Sequence, residues 1–160
     1  MNNLDIAAKQ LGDTGVQLRC ILNAPAERVY RAWTTPVEVA RWFAPASDST
    51  CVVDEMDVRV GGKFALSFHV GDATSTVTGE YLSLNPYTLI KFSWNGSCTN
   101  GAVRPSEVTV MLVKLDGKTE LTLTHALLEN VESRERHAQG WLACLHGLVE
   151  FTSELMAPVG

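Results

Sequence analysis

The spacing of apolar positions changes rhythm along the chain, and each change marks an element. Val16, Leu18, Cys20 and Leu22 alternate with Gln17, Arg19, Ile21 and Asn23, the period-two pattern of a strand with one mostly apolar face. Pro25 suits the first turn of a helix, Val29 and Trp33 fall on one face at i, i+4, and Thr34-Thr35-Pro36 ends that helix. Thr35 and Glu38 have the spacing of a capping box, with Pro36 at the first helical position. They predict a second short helix that carries Val39, Trp42 and Phe43 as far as Pro45.

Alternation returns from Cys51 to Ala126, broken by Gly61-Gly62, Gly71-Asp72, Asn85-Pro86, Asn95-Gly96 and Asp116-Gly117. Connections this short join neighbouring antiparallel strands. Three apolar rows result: Phe64, Leu66, Phe68 and Val70; Ile90, Phe92 and Trp94; Val108, Val110 and Leu112. Leu121, Leu123 and His125 alternate with Thr122 and Thr124, so His125 is expected to continue an inward face. From about Val131 to Leu155 the period becomes helical, with Trp141, Leu145, Leu148, Thr152 and Leu155 as the stripe. That helix is the natural cover for the sheet. Gly140 and Gly147 interrupt it on nearly the same side, where a close neighbour would explain their cost of about 1 kcal/mol each relative to Ala.

The element order is therefore α+β: strand, two short helices, a meander of strands, one long helix. At 160 residues the chain suits one domain. Residues 14–156 are read as that domain and residues 1–13 as a flexible N-terminal segment. Thirteen basic against eighteen acidic residues give a net charge of −5, without a Lys/Arg block to neutralise a row of phosphates. This excludes nucleic acid as the expected partner. Met1 to Gln10 lacks the basic start and apolar run of a secretory signal, and no segment reaches the 18 or so apolar residues of a membrane span. A cytoplasmic protein without membrane insertion is expected.

Cys20, Cys51, Cys98 and Cys144 show no C-x-x-C pair or finger spacing and read as reduced thiols. Three lie in apolar patterns; Cys98 lies in a Gly/Asn-rich loop with no neighbouring base. His69 should face away from Phe68, and His146 lies away from His137 on the helix, so no metal or other cofactor is expected. Gly61-Gly62 is a tight turn, since no strand-to-helix transition or Gly-Lys-Ser/Thr follows it. Arg59 is expected to pair with Asp57 or Glu55 beside that turn.

Several stretches resemble a known family. These are Asn23-Ala24-Pro25-Ala26-Glu27-Arg28-Val29-Tyr30-Arg31-Ala32-Trp33-Thr34, then Ala40-Arg41-Trp42-Phe43, and Asp57-Val58-Arg59-Val60-Gly61-Gly62-Lys63-Phe64. Gly79-Glu80-Tyr81-Leu82, Leu121-Thr122-Leu123-Thr124-His125 and His137-Ala138-Gln139-Gly140-Trp141 follow in the family's order, over about residues 14–155. The family is related to the C-terminal domain of activators of the 90-kilodalton heat-shock-protein ATPase, within the START-like (SRPBCC) superfamily. The resemblance implies a helix-grip fold: a strongly curved antiparallel sheet wrapped around a long C-terminal helix, with two short helices between the first two strands. It also implies an apolar cavity between sheet and helix. Two departures stand out. Val60 replaces the usual proline after the arginine of Arg-x-Gly-Gly, which loosens a turn, and the long polar segment Asn95 to Pro105 could reshape a pocket rim.

Together these readings point to binding of a small hydrophobic or aromatic molecule, without an enzymatic step, under the terminal helix. The candidate lining is Trp33, Trp42, Phe43, Phe64, Phe68, Tyr81, Phe92, Trp94, His125, His137, Trp141 and Leu145. Each aromatic is, by itself, more ordinarily a core residue. The ligand's polar end is expected near His125 or Tyr81. The alternative is an enzyme on a hydrophobic carbonyl compound, of cyclase, dehydratase or hydrolase type, with His125, His137 and Tyr81 as candidate acid-base groups. A histidine on a buried strand face is more ordinarily structural. A co-chaperone acting on a heat-shock ATPase ranks third, because it rests on the family name and the chain has room for one such domain. Homodimerisation through strand edges is open to the fold, but no interface is marked.

Overall fold

The structure, a computed structural model, describes residues 6–45, 48–96 and 105–156. The elements are β1 (Ala7–Leu11), β2 (Gly15–Leu22), α1 (Ala26–Thr34), α2 (Pro36–Trp42) and β3 (Thr50–Met56). After them come β4 (Lys63–Val70), β5 (Ala73–Asn85), β6 (Leu89–Gly96), β7 (Ser106–Leu115), β8 (Lys118–Ala126) and α3 (Val131–Leu155). The strands form one eight-stranded open sheet in the order β1-β2-β8-β7-β6-β5-β4-β3, every neighbouring pair antiparallel. β2 thus pairs with β8 across most of the chain, with Leu18 opposite Leu123 and Val16 opposite His125. The helices cover one face. This is the helix-grip α+β architecture.

The apolar rows follow the pleat. Leu121, Leu123 and His125 on β8 are fully buried, as are Val108 and Val110 on β7 and Leu18 and Leu22 on β2. Ile21, Met111 and Val113 point to the outer face and are exposed. The buried face has two compositions. Over β2, β7 and β8 it is mainly aliphatic, with His125, Thr119 and Ser106 as its buried polar members, and shares one core with Leu145 and Leu148 of α3; over β4, β5 and β6 it carries Phe64, Phe68, Tyr81, Phe92 and Trp94.

α1 starts one residue later than its proline suggested, with Pro25 in the extended N-cap position and its carbonyl accepting from Arg28 and Val29. Thr35 is the N-cap of α2, but its side chain makes no cap bond. Glu38 instead takes both guanidinium N–H groups of Arg28 at 2.9 Å, a bidentate pair that ties α1 to α2. The box pattern is present in sequence, and the stronger charge-assisted partner takes the carboxylate.

α3 has the bounds its periodicity predicts, opened by Asn130, whose side chain accepts from the Ser133 N–H at 2.8 Å. Leu155, expected to end its stripe, is 41% exposed, while Cys144 and Phe151 are buried on it. Residues Ala7–Leu11, expected to be loose, form β1 on β2. All of β1 is exposed, so no alternation marked it. Arg134 is 7% exposed and donates to the Gly12 carbonyl at 2.8 Å, fastening the β1–β2 turn to the start of α3. The turn at Asp57 to Gly62 closes with Val60 in it: Gly62 N–H donates to Arg59 O, and Gly61 and Gly62 exchange bonds with Tyr81. Arg59 pairs with Asp57 at 2.8 Å, as expected.

Candidate functional site

Phe43 organises the aromatic half. It sits in extended conformation just after α2, stacked on Phe68 (centroids 5.7 Å apart, planes at 24°) and on Trp94 (6.2 Å, 20°), and edge-on to Trp141 of α3 (5.6 Å, 67°). Trp94 and Trp141 close the group at 5.0 Å. Rings meeting at these offset and edge-on angles attract beyond the area they bury.

His125 stands behind this group, fully buried. Trp141 Nε1–H donates to its Nδ1 at 2.9 Å, so Nδ1 is an acceptor and the proton is on Nε2. Nε2–H then donates to Ser106 Oγ at 2.7 Å, and Ser106 in turn donates to the Trp94 carbonyl at 3.1 Å. All the hydrogens in this series point one way, and both imidazole nitrogens are engaged. Burial first, then neighbouring His137, pushes the His125 pKa well below the usual histidine value, which keeps the ring neutral.

His137 is half-buried on the first turns of α3, its ring centroid 4.9 Å from that of His125. Its Nδ1 lies 2.8 Å from the Ser133 carbonyl, an acceptor only, so Nδ1 is the protonated nitrogen. Nε2 has no hydrogen-bond partner among the described residues. Burial lowers the His137 pKa; the bond to Ser133 opposes this and the Arg136 charge adds to it.

A cleft of about 200 Å3, partly open to solvent, lies under the first half of α3. Phe43, Phe68, Trp94 and Trp141 are its aromatic walls, and His137, Arg136 and Gly140 belong to its helical side. A side chain at Gly140 would meet nothing nearer than Pro45 Cβ at 3.6 Å, whereas one at Gly147 would strike the Trp42 carbonyl oxygen at 2.5 Å. The close neighbour expected for both glycines is present at Gly147 alone. At Gly140 the missing side chain is cleft space. Cys144 also lines the cleft, with its thiol pKa raised by burial.

A second, smaller void of about 30 Å3 lies deeper, walled by Trp33, Phe64, Tyr81 and Phe92 among others, with Phe43 and Trp94 shared between the two spaces. At about 10–15 Å3 per water it has room for two molecules or so. Burial raises the Tyr81 pKa, which keeps the phenol protonated.

The expected lining thus divides. Phe43, Phe68, Trp94, His137 and Trp141 meet at the cleft; Trp33, Phe64, Tyr81 and Phe92 meet at the inner void. His125 and Leu145 line neither and are packed into the wall. Trp42 also lines neither: it packs behind Trp33 and Phe43 (centroids 4.7 and 5.0 Å), its indole N–H donating to the Ala32 carbonyl at 2.8 Å. Tyr81 and His125 therefore do not converge on one ligand end. Ser106 escaped sequence reasoning because a serine beside a polar loop looks like any exposed one; the hydrogen-bond requirement of a buried His125 was the signal for it. Cys98 and most of the Asn95 to Pro105 segment lie outside the described residues. Cys20, Cys51 and Cys144 are buried free thiols, and burial pushes the first two up to about 12 and about 11. No group of three or more His, Cys, Asp or Glu among the described residues could hold a metal ion, and no described helix is long and apolar enough to cross a membrane. His69 Nδ1 lies 3.1 Å from Thr74 Oγ1, on the strand face opposite Phe68.

Comparison with known proteins agrees with this architecture. The family model for "Activator of Hsp90 ATPase homolog 1-like protein" matches residues 23–153. The chain belongs to that family. Among solved structures of the same fold, protein CV1439 from Chromobacterium violaceum is 28% identical, with a TM-score of 0.80 over 87% of this chain and 96% of its own. A protein from Arthrobacter aurescens, solved by NMR, is 19% identical with the same TM-score of 0.80, covering 94% of this chain and 91% of that one. CalU16 from Micromonospora echinospora is 24% identical, with a TM-score of 0.65 over 97% of this chain and 89% of its own. No curated protein matches the chain. The family's helix-grip domains include ligand-binding and polyketide-cyclase-like members.

Proposed function

We propose that the protein binds a small apolar or aromatic molecule in the cleft under the first half of α3. The cleft itself carries this reading: about 200 Å3 of space walled by four aromatic rings, bordered by a glycine that a helix interior would otherwise disfavour. Burying about 300 Å2 of apolar ligand surface gains roughly 7 kcal/mol. After the cost of immobilising the ligand, a two-ring compound chosen without optimisation should bind with a Kd of about 100 μM. His125 supports the ligand site indirectly, by holding Trp141, Ser106 and the Trp94 backbone in one arrangement.

Titration with 1-anilinonaphthalene-8-sulfonate tests the reading. The folded protein should show saturable, one-site fluorescence enhancement. Gly140→Phe, which places a ring in the cleft, should weaken that binding at least about tenfold, the equivalent of about 1.4 kcal/mol. Undiminished binding by a folded Gly140→Phe variant would sink the proposal. Turnover of a hydrophobic carbonyl compound in the same cleft is the second reading. It draws on His137, whose Nε2 is uncommitted among the described residues, since both nitrogens of His125 are already bonded.

A further inference from the structure

The chain has a net charge of −5, yet among the described residues that line the cleft only Arg136 carries a formal charge at neutral pH, and it is positive. Arg136 is exposed and forms no hydrogen bond or ion pair with another described residue. The acids on the same turns of α3 leave it free. Glu135 is taken by Arg134 at 2.8 Å, and Glu132, at the i−4 spacing where a Glu ordinarily pairs with Arg, does not reach it. The Arg136 charge lies close enough to the His137 ring to lower its pKa, and both residues border the cleft. On the sheet side Ser75, exposed and opposite Phe68 in the β4–β5 register, adds a hydroxyl with no hydrogen-bond partner among the described residues.

A lone cation at the rim of an apolar cleft selects by charge. An anionic group carried in among the aromatic rings would lose its hydration without a counter-charge, whereas one that stops at the rim keeps much of its water and meets the guanidinium. The forked donors of that group match the two oxygens of a carboxylate. One positive charge balances one negative charge; a phosphate dianion would call for a second cation, and the described lining supplies none. His137 does not take that part, because burial favours its neutral form and its protonated nitrogen is committed to the Ser133 carbonyl.

We infer that the cleft takes an amphipathic monoanion, its apolar rings against the aromatic walls and its carboxylate at the rim, held by Arg136 with Ser75 as a second donor. The inference rests on the cleft being the ligand site, and it adds a preference for charge that the aromatic walls do not supply.

The test compares 2-naphthoate with 2-naphthamide, one ring skeleton carrying a carboxylate or a neutral amide, by calorimetry on the full chain at about pH 7.5. In low salt 2-naphthoate should bind about fivefold more tightly, the scale of one partly exposed charge pair, and about 0.5 M salt should bring the ratio toward one. Arg136→Gln, at an exposed position where folding is little affected, should bring the ratio to about one in low salt as well. Gly140→Phe should weaken both compounds at least about tenfold. A wild-type ratio near one, or a ratio that Arg136→Gln leaves in place, overturns the inference and leaves the cleft as a site without charge preference. Loss of 2-naphthoate affinity in Arg136→Gln but not in Gly140→Phe would put the carboxylate on the outer surface, and the inference falls again. If neither compound binds, or Gly140→Phe weakens neither, the cleft reading falls with it. Should Gly140→Phe fail to fold, shifts of the assigned Trp94 and Trp141 indole N–H signals in the wild-type chain decide whether the compounds enter the cleft.

Discussion

At the scale of single residues, the strongest constraint is the one-way series from Trp141 through His125 and Ser106 to the Trp94 carbonyl. Ser106→Ala removes the only acceptor for His125 Nε2–H recorded among the described residues. Urea denaturation should show a loss of about 1–3 kcal/mol, the ordinary penalty for an orphaned buried donor; a loss below about 0.3 kcal/mol would mean that the series does not hold the wall. That His125 faces inward was legible from its alternation with Thr122 and Thr124. That it cannot exchange protons was not, because the partners that occupy its two nitrogens come from β7 and α3, 19 and 16 residues away in the chain. Glu38 makes the same point. Its spacing from Thr35 is local information, and the Arg28 that captures it lies on the preceding helix.

At the scale of elements, α3 carries the sharpest test. Two glycines of one helix, seven residues apart, should respond to alanine with opposite signs. Gly140→Ala gains up to about 1 kcal/mol of helix propensity and meets only Pro45 Cβ at an ordinary 3.6 Å. Gly147→Ala drives its methyl into the Trp42 carbonyl at 2.5 Å, and overpacking of that kind costs about 1–3 kcal/mol. Thermal unfolding should rank the variants Gly140→Ala above wild type above Gly147→Ala; the reverse order would show that α3 sits differently on α2. Helix periodicity located α3 because a long one-sided stripe survives local exceptions such as Leu155. β1 had no such stripe: with every residue exposed, its only signature is its pairing with Arg19 to Gly15, which no local pattern encodes.

At the scale of the whole molecule, the two histidines link stability to pH. Both have folded-state pKa values below the unfolded value of about 6.5, chiefly through burial, so the unfolded chain binds more protons. Their contribution is complete above about pH 6.5 and is lost as pH falls below it, with a slope of up to about 1.4 kcal/mol per pH unit for each ring. Protonated His125 would also present an N–H to the Trp141 N–H, donor against donor. Unfolding free energies measured from about pH 7.5 down to pH 5 should decline; a flat profile would mean that the rings are not held neutral. The helix-grip architecture and most of its inward rows could be read in advance, because burial on one face imposes alternation. The separation of cleft from inner void could not, since it depends on how Phe43 stacks between Phe68 and Trp94 once three distant segments have met.

The division of the buried face into an aliphatic half over β2, β7 and β8 and an aromatic half over β4, β5 and β6 also bears on how such a chain can change over time. Close-packed leucines and valines tolerate little alteration in volume, so the strands that meet across the length of the chain act as a keel. Substitutions on the other side alter the shape of an already unfilled chamber and leave that keel alone. A lineage built this way can drift from one guest to another while its frame stays seaworthy.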